Sequence, residues 1–326
     1  MKLLGALTLL AGVGLAENAG ATETIKLGTL APKASPWGQV FEVWAKAVKD
    51  KSGGAVELQF FYNGQQGDEG AMVGKMKAGQ LDGAAITAVG LGKIYKPIVA
   101  MQMPGLFTTW AKLDAARDAM KGDFEKGVSD AGFTLAGWGD VGQVHLMSKG
   151  FEVHTPDDIK GKKPYMWRDD AIQPVLYQVI GGVTPVPLNV PEVLPQLNTG
   201  AIDIVNAPSL AAEQLQWSSK LDTINADVSA CAIGALVLSS KRLDALPADQ
   251  KAIVMDTGKI AASALTNRIR REDAAAFDRM KGKMKVVTLS ADEKSKWDAI
   301  FKQTRQRLSQ GTFSPDLVNK LERLAQ

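Results

Sequence analysis

Cysteine occurs once in the chain, at Cys231, and histidine twice, at His145 and His154. A single cysteine excludes an internal disulfide, a CxxC redox pair and a zinc site built on cysteines. Standing in "SACAIGALVL", Cys231 reads as a small buried hydrophobe rather than a nucleophile. Neither histidine sits in HExxH, and two cannot make a histidine triad, so no metal is implied. There is no GxSxG elbow to mark a serine hydrolase. The stretches "GQQGDEG" and "GLGKIY" match neither GxxxxGK(S/T) nor GxGxxG; they read as turns between strands and helices. No cofactor is indicated.

Charge of one sign is also missing. With 38 Lys and Arg against 35 Asp and Glu the net charge is +3, too even to point to nucleic acid, and no basic block interleaves with aromatics. The densest like-charge cluster, Arg268-Ile269-Arg270-Arg271, is followed at once by Glu272-Asp273 and reads as a solvated helix face. The adjacent carboxylates Asp157-Asp158 and Asp169-Asp170 would point to opposite faces of a strand. They therefore read as helix caps, not as an acid pair. Long apolar runs are absent beyond the N-terminus. There Lys2 precedes the run Leu3 to Leu15, and a polar stretch ends in Ala19-Gly20-Ala21. This is the pattern of a secretory signal peptide cleaved near Ala21, or near Ala16, and the run is short of the roughly 20 residues that span a membrane. The expected mature chain is exported and soluble.

What is present is an alternation of strand and helix. "TIKLGT" reads as a strand, Ser35-Pro36 as a helix start, and Trp37, Val40, Phe41, Trp44 and Val48 as one apolar helical face closed by Gly53-Gly54. "VELQFFY", a helix capped by Asp68, the strand "LDGAAIT" and a strand "GFTLAGWG" ending near Trp138 follow. A second block opens near Gly142 and contains the strand "TPVPLN", the helix "PEVLPQLNTG" and the strand "IDIVNAP". Asp249 to about Lys281 reads as one long helix or two adjoining ones, then a strand and a helix complete the chain. Alternation of this kind predicts parallel α/β layers.

Taken together, several stretches resemble the DctP-type solute-binding proteins of TRAP (tripartite ATP-independent periplasmic) transporters. "AKAVKDKSGGAVELQFFYNGQQGDEGAMVGKMKAGQLDGAAIT", "YKPIVAMQMPGLF", "HTPDDIKGKKPYMW", "GGVTPVPLNVPEVLPQLNTGAIDIVNAP" and "DALPADQKAIV" occur in the family's order and spacing over nearly the whole mature chain. The resemblance implies a two-lobe α/β periplasmic binding fold, with a ligand cleft between the lobes and a long helix spanning both. It implies no enzyme activity, a small-molecule solute, and permease subunits in the membrane as partners. The expected division is 1–21 as signal peptide, 22–141 with 232–272 as the first lobe, and 142–231 with 273–326 as the second.

The resemblance also locates the pocket, and there this chain departs from the family. Relatives that bind organic acids place an arginine on the strand after "KG", because a guanidinium fork makes two charge-assisted bonds to a carboxylate. Counting from Lys160-Gly161 puts that position at Tyr165; counting back from "TPVP" puts it at Trp167. Strand parity sets Tyr165 and Trp167 on one face and Arg168 on the other, unless a bulge turns Arg168 inward. A second family arginine falls on Val144. Other pocket positions fall on Thr87, Gly90, Ala207 beside Asn206, Val190 and Leu30, while Trp138 and Trp37 are candidate walls. A buried carboxylate without a cation costs several kcal/mol, whereas ~200 Å² of apolar burial contributes ~5 kcal/mol. The expectation is a neutral or largely hydrophobic ligand, with a cation stacked on Trp167 as a variant. The alternatives are an organic acid held by Arg168, a lipid carrier or sensor component, and a secreted α/β enzyme.

Overall fold

The computed structural model describes residues 22–326, so the expected signal peptide lies outside the described residues. The strands are β1 (Glu23–Thr29), β2 (Val56–Phe61), β3 (Gly83–Thr87), β4 (Phe133–Ser148), β5 (Tyr165–Trp167), β6 (Val186–Leu188), β7 (Ile204–Pro208), β8 (Thr223–Asn225), β9 (Ala230–Ser239) and β10 (Lys285–Val287). The helices are α1 (Pro36–Lys51), α2 (Glu69–Lys77), α3 (Ala88–Ile94), α4 (Trp110–Asp130), α5 (Gln173–Ile180), α6 (Val190–Thr199), α7 (Ser209–Gln214), α8 (Ser240–Asp244), α9 (Ala248–Lys281), α10 (Ala291–Leu308) and α11 (Pro315–Leu324).

Local rules account for many of these elements. The Ser35 hydroxyl accepts from the Gly38 amide at 3.2 Å, Pro36 fills the first helical position, and the buried face of α1 is Trp37, Val40, Phe41, Trp44 and Val48. Gly53 and Gly54, at φ +60° and +84°, turn the chain away after it. The long helix is a single one of 34 residues. Asp249 in its first turn and Arg279 and Lys281 in its last match the helix dipole.

Strand order in the main sheet is β10-β8-β4-β9-β3-β1-β2, with β7 also paired to β4. β1 pairs in parallel with β2 and β3, but β9 lies antiparallel to both β3 and β4. The sheet is thus mixed, not the parallel layers that alternation predicts. Every antiparallel pair involves β9 or β4, and β4, expected to end near Trp138, is a strand of 16 residues that runs from Phe133 to Ser148. Register shifts at Leu135/Gly137 and Asp140/Gly142 bend it without ending it. Gly142, at φ +143°, takes a conformation that side chains rarely adopt. The expected boundary between lobes near Gly142 therefore falls inside a continuous strand. At Val144 this strand pairs with Ala230 of β9 and with Pro208 of β7.

Helix α9 lies along β4, α1 and α7. Its fit to β4 depends on small residues: a Cβ on Gly137 would lie 2.4 Å from the Ala262 Cβ. The buried hydrophobics form several clusters. One joins α3, α4 and β9 and includes Leu308, Phe313, Val318 and Leu321 from the chain's end. The C-terminal helix therefore packs with residues of the first expected lobe. Another cluster joins Trp217, Val193, Leu197 and Ile224. A short two-stranded sheet, β5 with β6, pairs Tyr165 with Val186 and Trp167 with Leu188.

Where β9 runs between its neighbours, a Cβ on Gly234 would meet the Ile86 carbonyl at 2.8 Å and the Gly139 carbonyl at 2.9 Å. Both are backbone atoms of paired strands and cannot rotate aside. Gly234→Ala is expected to cost roughly 1–3 kcal/mol, lowering the melting temperature. Gly74→Ala, on an α2 position with nothing within 4 Å, should leave it unchanged or raise it. Thermal denaturation of the two variants side by side checks this.

Candidate functional site

The ends of β1 and β3, the middle of β4, and residues of β5, α5, β7 and β9 surround a cavity of about 500 Å³. That is the size of a small-molecule site. Its lining includes Leu30, Trp37, Thr87, Val144, Tyr165 and Trp167. Val190, Asn206 and Ala207 line it as well.

Strand parity decides the arrangement on β5. Tyr165 and Trp167 share a face and both reach the cavity, while Met166 points into the cluster with Val153 and Ile159. The Tyr165 ring meets Trp217 edge-on at 5.8 Å, and its buried hydroxyl has no hydrogen-bond partner. Tyr177 donates from its hydroxyl to the Tyr165 carbonyl at 3.3 Å, and the Asn206 amide donates to that hydroxyl at 3.3 Å. Burial pushes both phenols to titrate above their ordinary range.

Arg168 lies elsewhere. Its amide donates to the Leu188 carbonyl at 3.0 Å, and its guanidinium, with half its side chain exposed, pairs with Glu192 at 3.2 Å. No bulge turns it inward, and it does not line the cavity. Trp138 is also outside. It faces Phe124 at 6.3 Å and carries the Arg117 guanidinium over its ring at 5.4 Å, because the α4 side of β4 is core and the cavity is on the other side. Gly90 serves the site only indirectly, donating its amide to the Glu69 carboxylate at 2.7 Å.

Several groups at the cavity were not singled out from sequence. Asp140, fully enclosed, bonds Arg117 and accepts from Arg270 Nε at 2.7 Å. Arg270 also forks onto Asp114 at 2.6 and 2.7 Å and lies 4.4 Å over the Trp110 ring. Arg270, assigned to a solvated face from its sequence neighbours, is instead partly buried and ion-paired. The Trp37 indole N–H reaches the Asp140 carbonyl at 3.5 Å. Among the described residues Lys294 is the one basic side chain lining the cavity, and it pairs with Asp227 at 2.7 Å. One acid of each adjacent pair acts as a cap, while Asp157 pairs with Lys160 and Asp169 with Lys93. Asp170 accepts from the Ile172 and Gln173 amides at 2.6 and 2.9 Å, and Asp158 from the His154 and Thr155 amides at 2.9 and 2.7 Å. Burial pushes the Cys231 thiol up to about 12, which keeps it protonated and unreactive. Among the described residues no group of three or more His, Cys, Asp and Glu is placed to hold a metal, and no helix is long and apolar enough to cross a membrane.

Glu69 is a buried, perturbed acid lining the cavity. It accepts from the Thr87 amide at 2.8 Å, the Thr87 hydroxyl at 2.9 Å and the Gly90 amide. Burial nevertheless raises it from 4.5 to about 7. Asp273, which accepts from the Gln143 and Leu210 amides at 2.8 and 2.9 Å, is likewise raised from 3.8 to about 6. A folded-state value above the unfolded one means the protonated form suits the fold better. The contribution of Glu69 is complete below about pH 4.5 and is lost as the pH rises through about 7. The melting temperature is therefore expected to fall between pH 5 and 8. Glu69→Gln, neutral throughout, should gain on the unsubstituted protein as the pH rises. A difference in melting temperature that does not change with pH would contradict this.

The comparisons with known proteins agree with this geometry. Residues 27–310 match the family model of the bacterial extracellular solute-binding protein family 7, DctP. A solute-binding protein of Chromohalobacter salexigens is 26% identical over 204 residues, which is 62% of this chain and 60% of that protein. The TRAP periplasmic solute-binding protein of Sulfurospirillum deleyianum, solved with bound succinate, superposes with a TM-score of 0.86 at 20% identity, covering 94% of this chain and 100% of that one. The sugar acid binding protein of Advenella mimigardefordensis, in complex with galactonate, has a TM-score of 0.86 at 17% identity, covering 93% and 98%. These are solute-binding proteins and not enzymes, and the two-lobe α/β fold is theirs. The chain belongs to the bacterial extracellular solute-binding protein family 7, the DctP family.

Proposed function

We propose that this protein is the extracytoplasmic subunit of a TRAP transporter that captures a small organic acid in its cleft and hands it to membrane permease subunits. The expectation of a neutral or largely hydrophobic solute is corrected by the acids held by its structural relatives, succinate and galactonate among them. That expectation took a guanidinium as the carboxylate's necessary partner. Neutral hydroxyl and amide donors also stabilise a carboxylate, and several of them can replace one cation.

The observation that carries this assignment is the donor group where the family's arginine would stand. The Tyr165 hydroxyl is buried without a partner, and Asn206 and Tyr177, joined to each other by a hydrogen bond of 3.3 Å, line the same cavity. A carboxylate accepting from Tyr165 and Asn206 would leave the carbon skeleton against Val144, Val190 and Trp167. Arg168, paired with Glu192 at the surface, has no part in this arrangement. The family matched by the chain supports a periplasmic location.

Calorimetric titration with succinate, butyrate and the corresponding amides tests the assignment. An acid is expected to bind at least tenfold more tightly than its amide. Tyr165→Phe should weaken acid binding about tenfold, since a hydrogen bond to a charged group contributes about 1.5–3 kcal/mol. Arg168→Ala should leave it within about twofold, as expected for a surface ion pair. Amides binding as tightly as the acids would refute the assignment.

A further inference from the structure

The glycine-rich stretch Gly64–Gly70, read from sequence as a turn with Asp68 as a helix cap, makes contacts that its sequence does not announce. Asp68 caps its own helix, one carboxylate oxygen accepting from the Glu69 amide at 2.7 Å. The other oxygen accepts from two donors far along the chain. These are the Trp167 indole N–H at 3.0 Å and the Val190 amide at 3.0 Å. Val190 is the first residue of the ten-residue helix α6. One carboxylate thus caps helix N-termini on both sides of the cleft, α2 directly and α6 from across it, and in each case meets the positive end of a helix dipole.

Two neighbouring contacts join the same edges. Lys93 pairs with Asp169 at 2.7 Å, two residues beyond Trp167. At Gly70 a Cβ would lie 2.4 Å from the Asp169 carboxylate, so a larger residue there would displace that side chain. At Gly64 a Cβ would lie 3.4 Å from Pro191 Cγ, in the first turn of α6.

We infer that Asp68 is a positioning residue and the closure latch of the cleft. It fixes the orientation of Trp167, a cavity wall, and joins the β1–β3 half of the molecule to the β5–β6 and α6 half. In a closed cleft its second oxygen is occupied by Trp167 and Val190; in an open one it returns to water. Such an exchange is close to balanced, because the bonds gained are offset by desolvation of the carboxylate. Contact between a ligand and the Trp167 ring then biases the latch toward closure, which is how binding shifts a two-state population.

The inference rests on reading the cavity as a ligand cleft, but its test needs no ligand, so its failure is distinguishable from failure of the acid assignment. Nitroxide labels on Ala78→Cys, at the exposed end of α2, and Asn198→Cys, exposed on α6, report the separation of the two edges by pulsed electron resonance; Cys231 is buried and stays unlabelled. Asp68→Asn keeps a good N-cap for α2, yet turns an amide NH2 toward two N–H donors. Its melting temperature should hold within a few degrees while the label separation lengthens. Trp167→Phe, which keeps a ring and removes only the indole donor, reads the latch from the other side should the Asp68 variant fold poorly. Distance distributions identical to those of the unsubstituted protein would overturn the inference.

Discussion

The enclosed carboxylate of Asp140 is the constraint on which most of the architecture converges. It sits at the bend of β4, where the strand shifts register between Asp140 and Gly142. It is bonded to Arg117 of α4 and Arg270 of α9, and Arg270 in turn holds Asp114 and rests on Trp110. A charge this deep is tolerable only when its lone pairs are filled and an opposite charge is adjacent. Removing both guanidiniums would strand the Asp140 charge in the core, and the two come from different helices, so α4, α9 and the spine strand meet here. The bend that this junction holds also carries Val144 to the point where β4 is shared between β9 and β7, and that point lies on the cavity wall.

Electrostatics around the cavity follow one rule. Charges near it are compensated by partners already inside the protein: Asp140 by two guanidiniums, Lys294 by Asp227. Glu69 and Asp170 are satisfied by backbone and hydroxyl donors and are pushed toward the neutral form by burial. This leaves a lining dominated by aliphatic and aromatic side chains with a few neutral donors. Such a site would select a ligand by shape and by where a single carboxylate end meets those donors.

Much of this was legible in sequence where the cause is local. Ser35-Pro36 announces α1, the Gly-poor run after Asp249 announces α9, and period-two parity puts Tyr165 and Trp167 on one face with Arg168 off it. Local rules fail where a distant segment decides. Trp138 obeys strand parity, but parity does not say which face of β4 meets the cavity and which meets Phe124. Arg270 stands in a charged run that reads as solvated, yet its partners Asp114 and Asp140 lie 156 and 130 positions away. Tyr177 and Trp217 were not singled out from the sequence, because only tertiary placement brings these buried side chains to the cavity. The length of β4, expected to end near Trp138, was hidden because its glycines interrupt the strand pattern, whereas here they sit at register shifts and allow the close approach of α9.

The most direct measurement is native mass spectrometry of the protein purified without refolding, followed by release and identification of whatever small molecule travels with it. A compound with a free carboxyl group and a skeleton small enough for a cavity of about 500 Å³ is the expected result. A neutral lipid, or a sugar with no acid group, occupying the same cleft would contradict it.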